Sequence, residues 1–600
     1  MQKIKSFGIF GVDGYIVDVE VDITKGIPVY TLVGLPDSAI KEGKERVKSA
    51  ITNIGLTFPN KNIVINLAPA DKKKEGVCYD LPIAIGIMSS TGDIKCNMDD
   101  WAFIGELSLN GDLRRVKGVL PSLITAVDKG IKNAVIPMAN KEEAKFVSGI
   151  NVYAVPNLRD IYNMFRELEI TNGNPTNTIY SGVREHNKHN FSNNPLENTN
   201  LSMIKRFLVS PVKFEDIKEK ARFAVDLKYI RGQYVAKRAL EIASAGGHNI
   251  ILIGPPGSGK TMLAKCFSSI LPSMTFEESL ESTKIHSIAG TLGVSETLNT
   301  RLPPAEWKKE TDPGVEPLGI ILTRPFRSPH HTASSVALAG GGSASKPGEI
   351  SLAHNGVLFL DEMPEYSRAC LELLRQPLED GQITISRAAA TVQYPASFIL
   401  IASMNPCPCG YFGSRTGKCV CSPTAIHKYI SKISGPLLDR IDLHIEVDAV
   451  TYDDLSNTRL EEESEVVRKR VEAARNIQTT RYSGYYEHNN TYNGIQNKIS
   501  PDDSPTADKS NGTIIEPSLK VHCNAQMTTP MMKEYCKLSP ECEKILKNAF
   551  EKLNLSARAY SRILKVARTI ADLDQCENIE PKHIGDAITY RSLDRFNRGK

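Results

Sequence analysis

The amino-acid sequence predicts a multidomain α/β protein: an α/β block, a second α/β block with a parallel sheet, and a helical carboxyl-terminal block. Strand-like apolar runs alternate with helical periodicity over residues 1–170 and again over about 206–450, which is typical of α/β folds. Helical periodicity dominates residues 451–600. In the second block a glycine-rich turn lies between an apolar strand and a helix, an arrangement that indicates phosphate binding.

Length and composition limit the class of protein. A chain of 600 residues with 41% hydrophobic and 24% charged residues is expected to fold into several globular domains. The formal net charge of +4 is small, so a nucleic-acid partner would need a local basic surface. No apolar run approaches the ~18 residues of a membrane span, and the first residues lack the features of a secretory signal. We therefore expect a cytoplasmic protein without a membrane partner.

Two polar stretches separate or interrupt the blocks. Residues 171–205 are predicted to be a linker, because the sequence from Thr171 to Leu201 is rich in Asn, Ser, Thr and Gly. Residues from about 483 to 511 have the same character and are predicted to be a disordered insert in the helical block. A short subdomain is the alternative for this second stretch.

The glycine-rich turn is a phosphate loop. Its sequence GPPGSGKT matches G-x-x-x-x-G-K-[ST], with the strand-like NIILI before it and the helix-forming MLAKCFSSIL after it. The glycines allow backbone N–H groups to face phosphates at a helix N-terminus. A purely structural glycine-rich turn is the alternative. The residues expected to bind ATP are Gly254, Pro255, Pro256, Gly257, Ser258, Gly259, Lys260 and Thr261.

Further polar residues follow apolar strands downstream. Lys260 is expected to reach the β- and γ-phosphates, while Thr261 and Asp361, in GVLFLDE, are expected to hold Mg²⁺. Glu362 is the candidate to polarise the attacking water. Asn405, at the end of FILIASMNP, is the candidate γ-phosphate sensor. For each acid and for Asn405 the alternative is an ordinary polar residue in a turn.

One arginine stands between acids in an apolar setting. Arg440 lies in SGPLLDRIDLHIEV, where an arginine normally forms an ion pair within its own domain. In a ring ATPase it could instead enter the neighbouring subunit's nucleotide site as an arginine finger.

The order of motifs along the chain resembles the ComM/YifB proteins, which are magnesium-chelatase-like AAA+ ATPases. The motifs are the phosphate loop, RPFRSPHHTAS, GEISLAHNGVLFLDE, LRQPLEDGQITISR, MNPCPCGYFG, SGPLLDRIDL and LSARAYSRILKVARTIADL. The resemblance implies an AAA+ P-loop core over 206–450, a helical lid over 451–600, and ATP bound between the subunits of a ring, usually a hexamer. It also implies that Arg558 is a lid arginine contacting the γ-phosphate and that Arg440 acts in trans.

Residues 1–170 resemble the Lon-protease-like α/β domain found at the front of this family. Lon enzymes use a Ser–Lys dyad, in which an unprotonated amine activates the nucleophile. Alignment on GIKNAVIP puts Leu120 at the lysine position and Cys78 near the serine position, with Lys117 three residues out of register. The domain is therefore predicted to be non-catalytic.

Four of the 12 cysteines are clustered within CPCGYFGSRTGKCVC, over 407–421. Cys407, Cys409, Cys419 and Cys421 form two C-x-C pairs, and four thiolates could close a tetrahedral Zn²⁺ site. The alternative is a set of reduced structural thiols.

The segment LEDGQITISRAAATVQYPASF predicts a β-hairpin inserted before the sensor strand, with Arg387 near its turn. It resembles the pore hairpin of MCM helicases, and a ring of such basic tips would contact DNA phosphates. An exposed turn cation is the alternative for Arg387.

The leading hypothesis is an ATP-driven helicase or branch-migration motor on single-stranded or branched DNA, acting in recombination during natural transformation. A chaperone-like remodeller of a protein complex is the second hypothesis, and an ATP-dependent protease would need the missing dyad. His330 and His331 are treated as structural or DNA-proximal, without a derived role. Adjacent residues on a strand point to opposite faces, so the two could not easily share a metal.

Overall fold

A computed structural model describes most of the chain. The described residues are 1–170, 202–218, 223, 225–292, 319–342, 345–386, 391–413, 419–449, 461–493, 521–553 and 555–591.

The amino-terminal block is built on a seven-stranded sheet with the order β3-β4-β2-β1-β5-β8-β9. β1 and β2 form an antiparallel hairpin, β2 pairs antiparallel with β4, and the other pairs are parallel. The small β6–β7 ribbon lies outside this sheet. The strands are β1 Gln2–Phe10, β2 Asp13–Thr24, β3 Tyr30–Val33, β4 Asn62–Ala68, β5 Trp101–Phe103, β6 Glu106–Leu107, β7 Leu113–Arg114, β8 Asn133–Pro137 and β9 Asn151–Val155.

Helices cover both faces of this sheet. Successive side chains of a strand point to opposite faces, and on β8 Val135 belongs to one hydrophobic cluster whereas Ala134 and Ile136 belong to the other. Burial on both sides explains why NAVIP reads as a continuous apolar run. The helices of this block are Ser38–Asn53, Asp80–Thr91, Val119–Asp128, Lys141–Ala144 and Leu158–Ile170.

The second block contains the predicted parallel sheet, with the order β11-β14-β17-β10-β18. All of its pairings are parallel, so its strands end at one edge. Two hairpins, β12–β13 and β15–β16, stand outside it, and β15–β16 confirms the hairpin expected before the sensor strand. The strands are β10 Ile250–Ile253, β11 Phe326–Arg327, β12 Gly340–Gly341, β13 Lys346–Pro347, β14 Val357–Leu360, β15 Gln382–Ser386, β16 Thr391–Pro395, β17 Ile399–Met404 and β18 Leu443–Glu446.

The two faces of this sheet have different neighbours. From β10, Ile250 and Leu252 pack into a cluster that includes the carboxyl-terminal helices, whereas Ile251 and Ile253 pack into a cluster that includes the β15–β16 hairpin. The helices of this block are Glu215–Lys218, Tyr234–Gly246, Lys260–Ile270, Phe276–Ala289, Ser335–Ala339, Glu349–Leu352, Arg368–Leu373, Pro377–Asp380, Pro423–Ile430 and Gly435–Leu438.

The carboxyl-terminal block is helical, as predicted. Its first helix continues to Asn493, so residues 483–493 are helical rather than part of the expected disordered insert. Tyr482 and Tyr485, about one turn apart, both contact the ring of Tyr535 edge-on and anchor this part of the helix. The rest of the expected insert lies outside the described residues. The helices are Ser464–Asn493, Thr529–Tyr535, Pro540–Leu553, Ala557–Leu573 and Pro581–Thr589.

The expected linker is also shorter at its carboxyl end. Residues 171–201 lie outside the described part of the chain, but Ser202–Phe207 forms a helix on the amino-terminal block. Ile204 and Phe207, three residues apart, are buried in that block's core. Leu208 then forms a bridge to β9. These apolar contacts stabilise a segment whose surrounding sequence is polar.

Candidate functional site

The phosphate loop follows β10 and leads into the helix Lys260–Ile270. Gly257 and Gly259 have φ angles of 77° and 86°, in the left-handed region that side chains with a Cβ avoid. A Cβ at either position would meet nothing within 4 Å. The requirement for glycine is thus conformational, and the open space in front of the loop fits a phosphate at a helix N-terminus.

The side chain of Lys260 lies across this loop. Its Nζ donates hydrogen bonds to the carbonyl oxygens of Gly254 and Pro255, both at 2.8 Å, and lies 3.4 Å from Oδ1 of Asn405. Burial lowers the pKa of Lys260, and the charges of Asp361 and Glu362 partly offset this effect. The ammonium group therefore lies at the edge of the sheet where β10 and β17 end.

Two oxygen ligands suited to Mg²⁺ meet beside the loop. Thr261 donates a hydrogen bond from Oγ1 to Oδ2 of Asp361, at 2.9 Å. Hydroxyl and carboxylate oxygens are the donors that Mg²⁺ prefers, so this pair fits the ion expected with ATP. Asp361 and Asn405 reach the site because β14 and β17 are parallel neighbours that end at the same edge.

Ser403 is a site residue that the sequence prediction missed. Its Oγ donates a hydrogen bond to Oδ1 of Asp361 and accepts one from the backbone N–H of Glu362, at 3.1 Å. Glu362 itself has a φ of 51° and an exposed side chain. Ser403 is completely buried, and a lone polar residue in the apolar strand FILIASM, two positions before Asn405, was the signal that could have found it.

Gln233 is a second residue that the sequence prediction missed. It has a φ of 55° and donates from Nε2 to the carbonyl oxygen of Asp448, at 2.7 Å, and of Ser258, at 3.5 Å. It thereby connects the phosphate loop to the chain that follows β18. Its position directly after Gly232 and before a helix offers only a weak sequence signal.

Arg440 lies in an ion pair within its own chain. It is 7% exposed, donates from Nη1 to the carbonyl oxygen of Pro436 at 2.8 Å, and pairs through Nη2 with the carboxylate of Glu379. The hydrogen bond and the charge of Arg440 lower the pKa of Glu379, and the charge of Arg558 adds to this effect. Arg558 is exposed in the first turn of its helix. The two arginines implied to contact nucleotide are thus close to one carboxylate.

The four clustered cysteines lie directly after the sensor strand and come together in space. Their Sγ atoms all lie within 4.8 Å of one another, and Cys407 lies 3.3 Å from Cys409 and 3.7 Å from Cys419. A hydrogen bond from the backbone N–H of Tyr411 is the main cause that lowers the pKa of Cys409 to about 6. Four cysteine sulfurs at this separation fit the ligand set of a tetrahedral Zn²⁺ ion.

The cysteine loop also contacts the phosphate loop. A Cβ on Gly410, which has a φ of 85°, would lie 2.8 Å from Cδ of Pro256 and 3.8 Å from Cγ of Asn405. Glycine is required there by both the conformation and the close approach. The loop carrying the cysteines is therefore packed on the nucleotide site.

Three other predicted positions have different outcomes. Arg387 lies outside the described residues, directly after Ser386 at the end of β15. The assumption that His330 and His331 lie on a strand is wrong: they occupy a turn after β11, and their ring centroids are 4.1 Å apart. His331 also contacts the ring of Tyr366 edge-on, because the turn allows both rings to face the same side.

The amino-terminal block shows no geometry suited to a Ser–Lys type of dyad at the aligned positions. Burial raises the pKa of Cys78 to about 12, so it is a neutral thiol at physiological pH. Leu120 is buried in the core. Lys117 donates a hydrogen bond from Nζ to the carbonyl oxygen of Ala289 in the second block, at 2.9 Å.

Comparison with known proteins assigns the chain to a family. Models of the magnesium chelatase subunit ChlI match residues 226–311 and 314–455, a further ChlI model matches 19–140, and the ChlI carboxyl-terminal model matches 461–591. The chain is 38% identical to competence protein ComM of Haemophilus influenzae over 588 residues, 98% of this chain and 96% of ComM. It is 37% identical to the protein YifB of Escherichia coli K12 over 589 residues, with the same coverage.

The chain belongs to the ComM/YifB family of magnesium-chelatase-like AAA+ proteins. Membership of this family implies the use of ATP and Mg²⁺, and the geometry around Lys260, Thr261 and Asp361 fits both. Similarity to magnesium chelatase subunits themselves is more distant: the ChlI subunit of Guillardia theta is 24% identical over 257 residues, 41% of this chain and 64% of that subunit. None of the helices in the described part of this ComM/YifB protein combines the length and hydropathy that crossing a membrane requires.

Proposed function

We propose that this protein is an ATP-hydrolysing ring motor on DNA, a helicase or branch-migration factor that acts in recombination during natural transformation. One observation carries the proposal: the β15–β16 hairpin is inserted between β14, which leads to Asp361, and β17, which leads to Asn405. A movement at the nucleotide site can therefore pass to the hairpin through the two strands that flank it. The 38% identity to a protein named competence protein ComM supports the same conclusion.

The residues at the sheet edge divide the work of hydrolysis. Lys260 binds the β- and γ-phosphates, and Thr261 and Asp361 hold Mg²⁺, which neutralises the charge that develops during phosphoryl transfer. Glu362 orients and polarises the attacking water from its exposed position. Asn405, 3.4 Å from the ammonium of Lys260, reports the γ-phosphate to the strand that follows the hairpin.

Assembly of subunits into a ring is proposed to bring two further positive charges to the nucleotide. We propose a homo-oligomer, a hexamer, in which Arg440 contacts the nucleotide of the neighbouring subunit and Arg558 contacts that of its own. Since Arg440 pairs with Glu379 in the single chain, Glu379 must release it when a neighbour binds ATP. Glu379 is 57% exposed, so water can replace the arginine at little cost.

DNA is proposed to contact the hairpin at Arg387, which follows β15 in the sequence, in six copies around the ring. The partner is single-stranded or branched DNA in the cytoplasm, and the Lon-like block serves without peptidase activity. The experiment is to measure the ATPase rate with and without DNA. DNA should raise the rate of the wild-type protein, and Arg387→Ala should lose that increase while keeping the basal rate.

The alternative is a chaperone-like remodeller of a protein complex. It is favoured by the family models, which are those of a magnesium chelatase subunit. The relatives that carry that name match only part of this chain, 41% for the Guillardia theta subunit. On this alternative the ATPase rate would not respond to DNA, so the same experiment separates the two functions.

We also propose that Cys407, Cys409, Cys419 and Cys421 bind one Zn²⁺ per chain. The support is the approach of their Sγ atoms, all within 4.8 Å of one another. Two ligands follow the sensor strand, and Cys421 lies two residues before the helix Pro423–Ile430. The ion would therefore fix the sensor loop to this helix and hold Gly410 against Pro256.

A further inference from the structure

The amino-terminal, Lon-like block directly contacts the β15–β16 hairpin, which is the proposed pore hairpin. Gly11 lies at the turn of the β1–β2 hairpin, and a Cβ on it would lie 3.3 Å from Cγ1 of Val392 and 3.6 Å from the carbonyl oxygen of Gln393. Val12, the next residue, packs against the hydrophobic cluster that contains Val392. The tip of one hairpin thus rests on the strand β16 of the other.

The contact is at the far end of the pore hairpin. Val392 pairs with Ile385, and the following pair toward the turn, Ser386 and Thr391, is the last in the ladder. The amino-terminal block therefore contacts the ladder one pair before its last described pair, and Arg387 follows Ser386 in the sequence.

Two lysines from different blocks meet at this place. Lys117 donates a hydrogen bond to Ala289 at the end of the helix Phe276–Ala289, and this helix contacts β13, the strand that contains Lys346. Burial lowers the pKa of Lys117, and the nearby positive charge of Lys346 contributes. Both side chains are exposed, and the ammonium of Lys117 keeps its hydrogen bond to the carbonyl oxygen of Ala289. Tyr394 of the pore hairpin donates a hydrogen bond to the carbonyl oxygen of Ser345, at 2.8 Å, which places Lys346 next to that hairpin.

An exposed aromatic ring lies at the end of the β1–β2 hairpin. Phe10 is 50% exposed, and the Nζ atom of Lys72 lies 5.9 Å from its ring centroid. A Cβ on Gly118 would lie 2.9 Å from Cγ1 of Ile9, so Lys117 and Phe10 lie on the two sides of the same hairpin end.

We propose that Phe10, Lys72, Lys117 and Lys346 form a single-stranded DNA surface that extends the pore hairpin onto the Lon-like block. Lysines bind phosphates, and exposed rings stack on unpaired bases, which is how proteins hold single strands without sequence preference. The surface gives the non-catalytic Lon-like block a role as the entry or exit guide of the DNA path. This inference rests on the proposed function, since it requires that the ring binds DNA.

The test is equilibrium binding of a labelled oligo-dT strand to the full-length protein with a non-hydrolysable ATP analogue. Combining Lys117→Ala with Lys346→Ala removes two phosphate contacts, so the slope of log K against log salt should fall by about 1.4. Phe10→Ala should weaken binding about tenfold through lost stacking. The control combines Lys41→Ala with Lys48→Ala on the helix Ser38–Asn53, which packs on the opposite face of the sheet from Val119–Asp128.

The outcomes separate this inference from the proposed function. If the wild-type protein binds the strand and the Lys117/Lys346 and Phe10 variants match it in affinity and salt slope, the Lon-like surface is wrong while the motor function stands. If the wild-type protein fails to bind DNA at low salt, both fall. A photo-crosslinking amino acid at position 10 gives an independent readout, because it should label with DNA only if Phe10 lies beside the strand.

Discussion

Ser403→Ala is the substitution that tests the magnesium site most sharply. It removes the hydroxyl that donates to Asp361 and accepts from the backbone of Glu362. Hydrogen bonds to charged groups contribute ~1.5–3 kcal/mol. If that energy positions Asp361 for Mg²⁺, the apparent affinity for the ion should fall about 10- to 100-fold, at 1.36 kcal/mol per tenfold. Lys260 and the phosphate loop are unchanged, so ATP itself should still bind.

The assay is the ATPase rate as a function of Mg²⁺ concentration at fixed ATP. The control is Ser244→Ala, which removes another fully buried hydroxyl, one that donates to the carbonyl oxygen of Ile270 at 2.9 Å, away from the site. It should leave the Mg²⁺ dependence unchanged. A Ser403→Ala protein with the Mg²⁺ dependence and maximal rate of the wild type would refute the role assigned to Ser403.

Three further predictions concern the ATP site and the cysteines. Glu362→Gln should bind ATP normally but hydrolyse it at least ~100-fold more slowly, since it loses the charge that polarises water; wild-type turnover would contradict this role. Arg440→Ala should be inactive alone but regain hydrolysis when mixed with Lys260→Ala, and assembled mixed rings without recovery would argue against a shared site. Untagged protein should contain about one Zn²⁺ per chain, and Cys409→Ser should lose it whereas Cys96→Ser should not; an active, metal-free protein would refute the zinc site.

Patterns local in sequence predicted the elements that converge on the candidate site. The phosphate loop, Asp361 and Asn405 each directly follow an apolar strand, and parallel strands end at one edge, so their proximity followed from the fold class. The same reasoning predicted the β15–β16 hairpin from two short strand-like runs. The functional roles of these residues remain proposals.

Partners that are distant in sequence could not be predicted. Glu379 lies 61 residues before Arg440, and nothing in its local sequence marks it as that arginine's partner. The docked helix Ser202–Phe207 depends on two apolar side chains whose receiving surface belongs to another part of the chain. The contact between Gly11 and the β15–β16 hairpin likewise joins residues about 380 positions apart, which only tertiary packing brings together.

ATP hydrolysis is proposed to drive movement on DNA, and the decisive measurement is the ATPase rate with added DNA. We predict that single-stranded or branched DNA raises the rate, that the increase fades as salt rises, and that Arg387→Ala abolishes the increase but keeps the basal rate. Arg166→Ala, which removes a 52% exposed arginine from the helix Leu158–Ile170, is the matched control and should respond like the wild type. A rate that stays flat with several DNA structures at low salt would contradict the account and favour a protein substrate.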